Sequence, residues 1–124
     1  QYITIASTGN STDFGDLTVI REGAAGVSSG TRGVFGGGNT GSVSNVIDYI
    51  TIATAGNATD FGDLTVARRN PAGVSSATRG VFGGGSTGSH SDIIDYITIA
   101  TIGNATDFGD LTVARSFAAG VQGT

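Results

Sequence analysis

Apolar and polar residues alternate in short runs along this chain, and no window sustains helical spacing. In "IIDYITIA" (93–100), Ile97 and Ile99 alternate with Tyr96, Thr98 and Ala100. That period of two predicts a half-buried strand. Three other short runs read as strands: "AGVSS" (72–76), "RGVFGG" (79–84) and "DLTVAR" (110–115), the last with Leu111 and Val113 on one face. Between them lie Gly, Ser, Asn, Asp and Thr, the residues of turns. The pattern predicts an all-β protein.

The pattern repeats. "YITIA" begins at Tyr2, Tyr49 and Tyr96, 47 residues apart each time. Residues 2–48 and 49–95 are identical at 35 of 47 positions, and 96–124 match 49–77 at 22 of 29. The chain is one repeat region, 1–124, which divides into a partial unit 1–24, full units 25–71 and 72–118, and a partial unit 119–124. A period near 47 with four short strands fits a β-propeller blade better than a helical hairpin. The predicted fold is therefore a tandem array of 47-residue four-stranded repeats. Eleven strands are expected, three blades less one strand, whereas propellers close with about four to eight blades. Repeats bury their faces against neighbours, so neighbouring chains are expected to complete the sheets by self-association into an oligomer or fibre.

Composition narrows the function classes. The net charge is −4, lysine is absent and all six cations are Arg. Without a basic patch, nucleic acid is not an expected partner. Without cysteine there are no disulfides or thiolate metal sites. No apolar run approaches the roughly 20 residues of a membrane helix, so membrane insertion is not expected. The chain enters the "YITIA" pattern at once from Gln1, which reads as a fragment, a processed product or part of something longer.

The order "VFGGG", loop, apolar strand, "DFGDL", "AR" resembles kelch repeats. Gly83–Gly84, Phe108 to Leu111, and Arg115 fill the diglycine, aromatic-to-leucine and arginine places, with Phe14, Phe61 and Phe108 as the aromatics. "TRGVFGGG", "NVIDYITIA" and "GNATDFGDLTVAR" are also similar to near-identical arrays in tail-fibre and virion structural proteins of marine phages. That resemblance spans nearly every residue. It implies a non-enzymatic structural part, virion or extracellular, that contacts a host-surface glycan or receptor. Phage fibres suggest a trimer, and an open filament is the alternative.

Candidate chemistry is sparse. "TRGVFGGGNTGS" (31–42) contains G-x-G-x-x-G at Gly36, Gly38 and Gly41, but a phosphate loop needs a helix next, and a strand pattern follows instead. "GNATDFGD" crowds oxygen ligands together. Asn57, Asp60 and Asp63, with Asn104, Asp107 and Asp110 one unit on, are therefore the candidate calcium ligands. The simpler reading is turn capping. This makes a calcium- or glycan-binding lectin-like propeller the alternative function. Asn10, Asn57 and Asn104 open N-x-[ST] sequons, acceptors only in a glycosylating secretory pathway. Arg21, Arg68 and Arg115, with Arg32 and Arg79, have aspartates available as partners (Asp48, Asp63, Asp95, Asp110), and ion pairs between neighbouring units are expected. His90 stands alone, no hydrolase constellation is present, and no enzyme is expected. The copies differ most at 22–24, 69–71 and 116–118, and at 39–46 against 86–93. Loop tips there are the expected binding surface.

Overall fold

A computed structural model describes residues 1–122, and it is all-β with no helix among them. Four strands, β1 (Ala25–Ser28), β2 (Arg32–Gly36), β3 (Val46–Thr51) and β4 (Thr59–Asp63), form one antiparallel sheet in sequential order. A second sheet follows from β5 (Ala72–Ser75), β6 (Arg79–Gly83), β7 (Ile93–Thr98) and β8 (Thr106–Asp110). Neither sheet closes on itself. The registers correspond: Val27 opposes Val34 and Val74 opposes Val81. Each third strand carries a bulge, between Ile47 and Asp48 and between Ile94 and Asp95.

The fourth strand differs from the sequence reading. It is "TDFGD" (106–110), and "LTVAR" (111–115) is an irregular connection. The reason lies in the first sheet. Leu64 N donates to Asn45 O and Arg68 N to Ser44 O, and the backbone between them bends away from any ladder. That bend carries Leu64 and Arg68 into the core and leaves Val66 outside. The eleven expected strands also come down to eight. In residues 1–24, one bridge between Tyr2 and Thr12 stands for two of them, and 119–122 form no strand. Residues 123–124 of the expected final unit lie outside the described residues.

The core sits between the sheets. Val27, Val34, Ile47, Phe61 and Leu64 of the first unit meet Phe82, Ile97, Ile99 and Ala105 of the second. The alternation read in 93–100 decides this. Asp95, Ile97 and Ile99 share a buried face, while Thr98 and Ala100 are exposed. The sheets approach most closely at β1 and β5. A Cβ on Gly73 would stand 2.5 Å from Gly26 O, and one on Gly36 would stand 2.9 Å from the Phe82 ring. Glycine at these places is what lets two sheets of small apolar residues touch.

The substitution Gly73→Ala should destabilise the fold by about 1–3 kcal/mol through overpacking against that carbonyl. Gly26→Ala, whose Cβ meets nothing within 4 Å, should change little. Thermal melting of both variants checks the contrast.

Candidate functional site

Two kinds of position separate in this structure: those that hold neighbouring units together and those that differ between copies. The seam comes first. Asp95, buried on β7, receives Thr65 Oγ1 at 2.5 Å, Thr65 N at 3.2 Å and Arg68 Nη1 at 2.8 Å. The second arm of the Arg68 fork donates to Phe82 O at 3.0 Å. Thr18, Arg21, Asp48 and Phe35 O repeat the arrangement, with an Arg21–Asp48 distance of 3.0 Å. All four charged side chains are fully buried. The expected Arg–Asp pairs between units are therefore present for these two, each guanidinium divided between a carboxylate and a carbonyl. Arg32 and Arg79 serve differently. They stack over the rings of Tyr49 and Tyr96 at 4.3 and 4.5 Å, and Arg32 Nη1 reaches across to Ile99 O at 2.7 Å.

The candidate calcium loops belong to the same seam. Gly103 N and Ala105 N donate to Phe61 O and Asp63 O on the free edge of β4, and Asn104 Oδ1 accepts from Asp63 N at 3.0 Å. Gly56, Asn57 and Ala58 do the same for Phe14 and Asp16. Asn57 and Asn104 thus use their carbonyl oxygens to cap the preceding unit's backbone, at Asp16 in an irregular segment and at Asp63 at the end of β4. Asp60 and Asp107 lie exposed on β4 and β8, Asp63 and Asp110 end those strands, and Asp107 Oδ1 accepts from Gly109 N at 3.2 Å. Among the described residues, no group of three or more His, Cys, Asp or Glu is placed to hold a metal ion. Asn10, the third sequon asparagine, is exposed in the loop between Tyr2 and Thr12. The glycine-rich stretch ends β2 and turns into β3, with Gly38 N donating to Arg68 O.

The two most variable stretches gather elsewhere, on one rim. Strands run antiparallel in order, so the connections after β2, β4 and β6 and after residue 110 emerge at the same end. Asn70 N donates to Gly23 O and Phe117 N to Asn70 O, which lines up three residues 47 positions apart. All three adopt left-handed backbone, with φ of 64°, 53° and 57°. Glu22 bridges to Asn39, and Arg69 to Ser86. Glu22, Gly23, Asn39, Arg69, Asn70 and Phe117 line a cavity of about 370 Å³. His90 Nδ1 lies 3.0 Å from Ser116 Oγ beside this rim, exposed to solvent. The two stretches singled out by their variation are thus brought together. What sequence reasoning missed is the threonine: Thr-x-x-Arg recurs at 18–21, 65–68 and 112–115, a signal that was there to be read.

A second cavity, about 570 Å³, lies between residues 1–17 and the first sheet, lined by Tyr2, Phe14, Leu17, Phe35, Ile50 and Ile52 among others. One unit later the positions of these residues, Phe61, Leu64, Phe82, Ile97 and Ile99, are the inter-sheet core. There β1 and β2 cover them.

No family model and no curated protein matches this chain.

The variant Asp95→Ala should cost about 3–5 kcal/mol, because it leaves the Arg68 guanidinium buried and unpaired. Denaturant unfolding measures this, and Arg115→Ala, whose side chain is exposed, provides the unaffected comparison.

Proposed function

We propose that this chain is a non-enzymatic, propeller-like or open β-repeat array, a virion or extracellular structural part whose variable rim contacts a host-surface glycan. The separation of positions carries this reading. Residues identical in every copy, such as the Thr-x-x-Arg set and the Gly-Asn pair, make the seams. Residues that change between copies line the rim cavity. A structure that keeps its buried seam side chains constant and concentrates its variation on one rim suits presenting chemistry better than turning over a substrate.

The rim chemistry suits a carbohydrate. Phe117, 79% exposed, offers an apolar ring face to a sugar ring. Arg69, Asn70, Asn39 and Glu22 supply donors and acceptors around it. The resemblance to phage tail-fibre arrays points the same way, and self-association into a fibre fits a repeat whose faces need neighbours.

On a glycan array the chain should bind a subset of glycans, and Phe117→Ala with Arg69→Ala should weaken that binding about tenfold or more without lowering the melting temperature. Equal binding by the double variant, or no glycan bound at all, would sink the rim as a glycan site.

A further inference from the structure

We infer that the rim cavity takes a sugar bearing one acidic group, carboxylate or sulfate, and that Arg69 is the residue that holds the anion. The six arginines of the chain divide by what they touch. Arg21 and Arg68 are buried against Asp48 and Asp95. Arg32 and Arg79 lie over the rings of Tyr49 and Tyr96. Arg115 donates through Nε to Val113 O at 3.3 Å. Among the described residues, the Arg69 guanidinium alone has no carboxylate, ring or carbonyl as partner, and it is exposed on the rim.

The base of that side chain is fixed although its head is free. Arg69 N donates to Ser86 O at 3.0 Å, and Ser86 N to Arg69 O at 2.8 Å. Pro71, two residues on, is buried. On the same cavity, Asn39 Nδ2 donates to Glu22 Oε1 at 3.3 Å, which ties the carboxylate to the loop after β2. Asn70 is folded over Gly23, where a Cβ would collide with Asn70 Oδ1. One cavity therefore holds a guanidinium, a carboxylate that does not pair with it, and two side-chain amides.

Those groups select the ligand. A free guanidinium fork matches a carboxylate or sulfate through two parallel N–H···O bonds. Glu22 accepts from sugar hydroxyls, and the amides of Asn39 and Asn70 donate and accept. Glu22 also sets a limit. A chain with an acid on every ring would press a second anion against that carboxylate, which is repulsive. The cavity, about 370 Å³, is near the small end of the range for ligand sites, about 300–1,000 Å³, and suits one sugar unit more than a long polyanion. Glu22, Arg69 and Ser116 occupy one repeat position, so the anion is read at one step of the array.

The inference rests on the reading of the rim as a glycan site and names the class of glycan. The experiment is an array carrying the same glycans in carboxylated, methyl-esterified, sulfated and neutral forms, probed with the full chain at low and raised salt. The wild type should bind a carboxylated or sulfated form about tenfold or more tighter than its esterified or neutral counterpart, and the stronger of the two identifies the anion. Raised salt should reduce that preference. Arg69→Gln should erase it with an unchanged melting temperature, because the side chain has no partner in the fold. Arg69→Lys, which keeps the charge without the fork, should keep part of it. Equal binding of charged and neutral forms by the wild type, or a preference that survives Arg69→Gln, overturns the inference. If neutral glycans are then lost in the Phe117→Ala, Arg69→Ala double variant, the rim remains a glycan site and only the anion falls. Binding to none of the forms overturns both.

Discussion

The buried Arg68–Asp95 pair sits where two sheets of small apolar residues meet, and the rest of the molecule is arranged around that meeting. Valine, isoleucine and alanine supply little surface each, and a lone four-stranded sheet would leave its apolar face in water, so the sheets gain by burying those faces against each other. The sheets must share one core. Desolvating two charges there is costly unless hydrogen bonds satisfy them. Thr65 and the Phe82 carbonyl supply several of those bonds. The arrangement sets register more than it adds stability: a slipped sheet would strand a carboxylate and a guanidinium in an apolar seam.

Much of this was legible in the residues. The period of two in 93–100 fixed which side of β7 faces inward, and the turn-rich intervals fixed four strands in each full unit. The fourth strand was misread because "DLTVAR" carries β-branched and apolar residues at strand spacing. Local pattern could not reveal that Leu64 and Arg68 are drawn inward by partners about 20 to 30 residues away, Ser44 and Asn45 in the turn before β3 and Asp95 on β7. Propensity yielded to tertiary contact there. The candidate ligand loop depends on distant partners in the same way. Asn57 and Asn104 sit among carboxylates in sequence, but their oxygens face backbone N–H groups of another unit, a partner that no window of seven residues contains.

The rim shows how one fold can separate two demands. Substitutions in the seam act on a close-packed interior, where even a methylene is felt. On the rim, Gly23, Asn70 and Phe117 occupy the same left-handed position, with three unlike side chains. Phe117 bears the steric cost of that backbone, of order 1 kcal/mol, and buries little in return. A strained, exposed aromatic contributes nothing to the core. Its position therefore tolerates change without disturbing the joints.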